Sequence, residues 1–268
     1  MLIQVISSRR TAPKQTITFF ATKGGTGRTV STMALASGFL AMGKRVLVLD
    51  CTDEAKADPR RDTPTTLQRW RKAMSSSGVL EDRLQLLSCT TREDIEDMLA
   101  SADTDGFDIA LIDTRILPQE PQGAALGRAD LILSPAIGEF EAKNVVKGIS
   151  EYLVEPDNVL GLIPGCRAGA ADIPATRAAF ASIPILKTEL PWSEAIGDQV
   201  VNGDIGHFTE CLACEQFGTG YGRFREAQAA WSAVLALTVE VQWALDGLQL
   251  QPHVSEWKQF VTKQKASA

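Results

Sequence analysis

The amino-acid sequence predicts an α/β protein with a doubly wound, mostly parallel sheet and helices on both faces. Three observations predict it. Short Val-, Ile- and Leu-rich runs recur between Ala- and Leu-rich stretches, and runs too apolar to alternate suit strands buried on both faces. The first run leads into a glycine cluster that opens a helix, the order of a βαβ unit. Aromatic residues make up only 6% of the chain, which suits helices on a parallel sheet better than a β-sandwich.

Taken in order, residues 16–21 read as the first strand, ending just before the glycines at 24, 25 and 27. Residues 29–42 read as a helix stopped by Gly43, because glycine readily takes the left-handed position past a helix end. Residues 45–50 form the second strand, and the polar, proline-bearing stretch 53–63 a loop. Further strands are predicted at 84–88, 107–113, 131–135, 159–163 and 184–186, with helices at 65–74, 92–101, 139–154 and 173–182 between them. The last third is more helical, with a glycine break at 218–222 and a long helix over 223–245. Trp231, Val234, Leu235, Thr238, Val241 and Leu245 fall at helix spacing there and read as a core-packed stripe.

The domain plan is an N-terminal extension over 1–14, one domain over 15–250 and a C-terminal tail over 251–268. Trp257, Phe260 and Val261 in the tail, with Lys258, Lys263 and Lys265 nearby, read either as a frayed terminus or as a weak membrane-surface or partner helix.

A chain of 268 residues with 44% hydrophobic and 22% charged residues can bury a full core without disulfides. The net charge of −6 argues against a wholly basic nucleic-acid coat but leaves room for a basic patch. Five scattered cysteines, no run near 18 apolar residues, and an N-terminus whose apolar run precedes its arginines point to a cytoplasmic protein.

The chemistry concentrates at Lys23-Gly24-Gly25-Thr26-Gly27-Arg28-Thr29. Phosphate oxygens are held by backbone N–H groups, so the main chain must approach closely, which glycine permits. The helix that follows directs its N-terminus at the anion. A Thr29 hydroxyl at that point is placed to ligate Mg²⁺, and Asp50 and Asp113 end two further strands.

The loop does not fit G-x-x-x-x-G-K-[ST], since Thr22 and Arg28 occupy the first glycine and lysine positions. It resembles the deviant Walker A motif K-G-G-x-G-K-[ST] of the ParA/MinD family of P-loop ATPases. Val46 to Asp50 is similar to the family's second strand, and Phe107 to Thr114 to its Walker B strand. Leu67 to Arg71 and the form F-D-x-A-L-x-D-T look closest to VirC-type members, which act in conjugative T-DNA transfer.

The resemblance implies an ATP- and Mg²⁺-dependent homodimeric switch in DNA partition or conjugative transfer, with DNA and a partner protein of such a system as partners. It implies that Lys23 acts across the dimer, that Gly24, Gly25, Thr26, Gly27, Arg28 and Thr29 hold the phosphates, and that Thr29 and Asp113 serve the metal. Lys23 and Asp50 are the implied catalytic residues.

Two departures imply slow or lost hydrolysis. Arg28 replaces a compact ammonium with a larger planar guanidinium, and Thr52 replaces the second aspartate of D-x-D. Asp53, one residue later, compensates only if the loop shifts. The alternatives are a non-catalytic scaffold that localises a partner and a MinD-like membrane-positioning protein using the tail.

Arg69-Trp70-Arg71-Lys72 reads either as a DNA or partner contact or as a solvated helix face with a docked Trp, and Arg223 and Arg225 form a second candidate patch. Cys211-x-x-Cys214 supplies half a zinc site and reads as small buried or helix-face cysteines. His207 and His253 have no evident acid or nucleophile partner, and no G-x-S-x-G elbow supports a hydrolase.

Overall fold

The structure is a computed structural model that describes residues 15–52, 64–79, 82–114, 120–152, 158–165, 172–180, 183–214 and 220–247. Six strands form one wholly parallel sheet in the order β3-β2-β4-β1-β5-β6. They are β1 (Gln15–Phe19), β2 (Val46–Asp50), β3 (Leu84–Ser88), β4 (Ile109–Asp113), β5 (Leu131–Pro135) and β6 (Val159–Leu162). Strands β2, β4 and β5 are buried at every position, which is why their sequences run apolar instead of alternating.

On one face lie α1 (Arg28–Ala41), α2 (Thr66–Ser76), α7 (Glu194–Gly197), α8 (Gln199–Asn202), α9 (Ile205–Cys214) and α10 (Gly220–Leu245). Their apolar side chains meet Ile17, Phe19, Val46, Val48, Ile109 and Leu111. The other face carries α3 (Arg92–Asp105) and α4 (Glu120–Gly127) over Leu47, Leu49, Ala110 and Ile112. Beside them, α5 (Glu139–Tyr152) and α6 (Ile173–Ala179) pack over Phe20, Ile132 and Val159. Helices α1 and α10 cross closely, since a Cβ on Gly38 would sit 1.9 Å from Thr238 Oγ1.

The predicted strand at 184–186 is a single bridge, Ile185 to Gly161. The ladder stops there because Lys187 N–H and Thr188 N–H donate to the Glu240 carboxylate at 2.6 and 2.9 Å instead of to a strand. Gly220 and Gly222 belong to α10, not to a break, since packing of Ala227, Ala230 and Val234 on the core outweighs two first-turn glycines. The short helices α4 and α7 to α9 are not individually predicted by the sequence. The tail, the loop at 53–63, His253 and the extension over 1–14 lie outside the described residues.

Candidate phosphate-binding site

The loop after β1 enters α1 through Gly27, the N-cap residue, at φ 89°. A Cβ there would meet Pro164 Cγ at 2.6 Å, so both backbone angle and space demand glycine. Gly25 also has positive φ (76°), but its missing side chain would meet nothing within 4 Å, so the main chain borders open space. No side chain caps α1 and no acidic residue stands in its first turn, which leaves that end suited to an anion. The Thr114 hydroxyl donates to Phe19 O at 2.6 Å and ties the ends of β4 and β1 together beneath the loop.

Two aspartates stand side by side at the ends of β2 and β4, with Asp50 and Asp113 in register and both wholly buried. Thr29 Oγ1 donates to Asp113 Oδ2 at 2.6 Å, while Asp113 Oδ1 is buried with no partner. Burial pushes the Asp113 carboxyl up to about 6, with the Thr29 hydrogen bond and the Arg28 charge pulling it down and Asp50 pushing it up. Desolvation lowers the pKa of Arg28 against the opposing pull of Asp113, and Arg28 Nη1 is buried without a partner. Thr26 Oγ1 is a third buried polar atom lacking a partner.

Buried polar groups are ordinarily satisfied, so three orphans within one loop and its adjoining strand fit a polar ligand. The donor set fits a phosphate with a hard cation: backbone and guanidinium for the anion, one hydroxyl and one carboxylate for Mg²⁺. Among the described residues no group of three or more His, Cys, Asp or Glu is arranged for a metal. A cation here would take its remaining ligands from phosphate and water, as Mg²⁺ commonly does.

Lys23 forms an ion pair with Glu141 of the same chain and lies 5.7 Å from the Phe140 ring centroid. Asp50 accepts from Thr52 N–H at 2.9 Å, from the Thr52 hydroxyl, and from Thr65 Oγ1 at 2.7 Å. The structure thus brings the loop from Lys23 to Thr29 together with Asp50 and Asp113.

Arg69, Arg71, Arg223 and Arg225 stand elsewhere, on α2 and α10. Trp70 is fully buried, so the α2 cluster is an exposed basic face over a docked Trp. Arg71 donates to Ser75 Oγ, Arg223 lies 3.9 Å from Glu194 Oε2, and Arg225 lies 6.0 Å from the Tyr221 ring centroid. Cys211 and Cys214 are exposed on α9, with Cys211 Sγ 3.5 Å from His207 Nε2.

Glu141, Pro164 and Thr65 escape sequence reasoning as members of the site. Only Thr65 carries a signal, the T-x-x-Q capping box it forms with Gln68 at the start of α2.

Among solved structures, MinD in the MinC:MinD complex of Aquifex aeolicus matches with TM-score 0.57 and 16% identity, over 85% of this chain and 96% of that one. MinD of Pyrococcus horikoshii OT3, complexed with Mg-ADP, matches with TM-score 0.54 and 16% identity, over 85% and 96%. A plasmid partition protein of Borrelia burgdorferi B31 bound to AMPPNP matches with TM-score 0.53 and 13% identity, over 86% and 100%. At such identities these matches establish the fold alone, the P-loop NTPase fold of the ParA/MinD type.

The VirC1 protein of Rhizobium radiobacter is 32% identical over 123 residues, 46% of this chain and 49% of the relative. That of Rhizobium rhizogenes is 27% identical over 121 residues, 45% and 48% respectively. The chain therefore spans about half the length of the curated relatives it matches. The family model described as VirC1 protein matches residues 14–151, just over half of the chain and the whole of the loop-and-aspartate site, and the chain belongs to the VirC1 family.

Proposed function

We propose that this chain is a nucleotide-dependent dimeric switch of the ParA type in conjugative DNA transfer or partition, binding ATP with Mg²⁺ and hydrolysing it slowly or not at all. The observation that carries the reading is the Thr29–Asp113 pair beside two unpartnered groups, Asp113 Oδ1 and Arg28 Nη1. Relatives in fold support the ligand, since their structures hold Mg-ADP and AMPPNP.

Bound Mg²⁺ would neutralise charge on the phosphates. The residues of this chain do the rest. Gly24, Gly25 and Gly27 let the main chain close on the phosphates, and Arg28 supplies a fixed positive charge. Thr29 and Asp113 offer the cation a hydroxyl and a carboxylate. Lys23, 44% exposed and held by a partly exposed ion pair and the Phe140 ring, is free to leave Glu141 for a nucleotide across a dimer.

Slow hydrolysis is supported by Thr52, whose hydroxyl is spent on Asp50 and cannot accept a proton from water as a carboxylate would. Asp50 itself is occupied by three donors.

Light scattering with and without Mg-ATP, paired with single-turnover hydrolysis, tests this. ATP-dependent dimers that Lys23→Ala abolishes are expected, with turnover far below that of ordinary ParA proteins. Rapid turnover abolished by Asp50→Ala would overturn the slow-hydrolysis part. A monomer at saturating ATP would overturn the switch and leave a partner-localising scaffold. Among the described residues no helix is long and apolar enough to cross a membrane.

A further inference from the structure

Asp50 is the most fully engaged carboxylate of the site, and one of its donors belongs to a distant element. The Thr65 hydroxyl donates to Asp50 Oδ2 at 2.7 Å. Thr65 Oγ1 itself accepts from Gln68 N–H at 3.2 Å, and Thr65 N–H donates to Gln68 Oε1 at 2.9 Å, so Thr65 is also the N-cap of α2. A hydroxyl has one proton and two lone pairs. Thr65 gives the proton to Asp50 and uses a lone pair to hold the first turn of α2.

A capping box requires only the second of these contacts. Helix α3 shows this, because Thr91 and Asp94 form the same box with hydrogen bonds confined to Thr90, Thr91 and Asp94. The bond from Thr65 to Asp50 is therefore additional to helix capping. It links α2 to a carboxylate that stands in register with Asp113. Beyond its cap, α2 is anchored by buried Leu67, Trp70 and Met74, while Arg69 and Lys72 are exposed.

We infer that Thr65 is a positioning residue through which occupancy of the phosphate site acts on α2 and its basic face. The inference rests on the proposed reading of that site as one for a Mg²⁺-bound nucleotide. Both Thr52 donors fall on Asp50 Oδ1, so a water of a cation held at Thr29 and Asp113 would compete with Thr65 for Oδ2. Thr52 is two residues along the same chain and stays near Asp50, so the bond to Thr65 is the one that yields. The cap stays, but Thr65 loses its tether to the end of β2, the first turn of α2 frays more readily, and Arg69 and Lys72 are presented differently.

The test is amide hydrogen exchange on the full chain with and without Mg-ADP, with nucleotide binding measured calorimetrically on the same sample. Exchange in the first turn of α2 is expected to quicken about five-fold with nucleotide, the scale of losing one hydrogen bond, while α3 is unchanged. Thr65→Ser keeps the response. Thr65→Val exchanges fast in both states, so its nucleotide-dependent difference vanishes. Saturable binding with no change in α2, or an undiminished response in Thr65→Val, overturns the inference and leaves the nucleotide reading standing. Absence of binding overturns the nucleotide reading, and the inference falls with it.

Discussion

Replacing Asp113 with Asn should stabilise the nucleotide- and metal-free protein at neutral pH. Asp113 is wholly buried and its carboxyl is raised from 3.8 to about 6. A raised carboxyl favours the protonated form in the native state. Its contribution to stability is therefore full below pH 3.8 and is lost as pH rises through about 6. A rise of that size corresponds to roughly 3 kcal/mol of ionisation cost at pH 7.5.

Asparagine removes that cost and can still accept from Thr29, but its NH₂ would stand near the unpartnered Oδ1 position and cost about 1–2 kcal/mol. The net expectation is about 1–2 kcal/mol of added stability at pH 7.5. At pH 5, between the unfolded and folded values, the cost of keeping Asp113 shrinks by about 1.4 kcal/mol and most of the advantage disappears. Urea unfolding of both proteins at the two pH values measures this. An Asn variant less stable than the parent at pH 7.5, or an advantage that does not shrink at pH 5, would refute the reasoning. The same carboxylate should then be essential for binding, a site that holds its charge against stability for function.

Other expectations follow from packing and surface charge. Gly38→Ala pushes a methyl into Thr238 and should cost about 1–3 kcal/mol in thermal or urea unfolding; an unchanged melting temperature would show that α1 and α10 do not cross so closely. Glu141→Gln breaks a partly exposed ion pair and should shift stability by less than about 1 kcal/mol, while raising the reactivity of Lys23 toward an amine-modifying reagent; unchanged reactivity would mean that Glu141 does not restrain it. If the proposed switch binds DNA, Arg223→Glu with Arg225→Glu should weaken that binding and lower its salt slope by about 1–2; an unaltered slope would remove Arg223 and Arg225 as phosphate contacts.

The site is legible in sequence where it is contiguous. Lys23 to Thr29 is one stretch of chain, and strand burial places Asp50 and Asp113 at strand ends, so spacing and apolar runs suffice to assemble it. What escapes depends on contacts distant in sequence. Glu141 meets Lys23 from α5, Pro164 closes on Gly27 from beyond β6, and Thr65 reaches Asp50 from 15 residues along the chain. Pro184 to Leu186 reads as a strand because its residues are apolar, yet Glu240 on α10 captures the amides that would extend the ladder. Helices α7 to α9 are interrupted by Gly197 and Gly203 and are too short for a periodic pattern. Trp70 is ambiguous in sequence because a basic cluster with an aromatic suits both a solvated helix and a DNA contact; its burial in the core settles that the ring itself is not a surface contact.

The central claim is that the loop from Lys23 to Thr29, with Asp113, holds a Mg²⁺-bound nucleotide. Calorimetric titration of the purified chain with Mg-ATP, with Mg-ADP as control, tests it most directly. Saturable binding near one nucleotide per chain is the predicted result. No heat up to millimolar Mg-ATP, repeated at a second temperature so that a vanishing enthalpy cannot hide binding, would contradict it and leave the loop as inherited architecture.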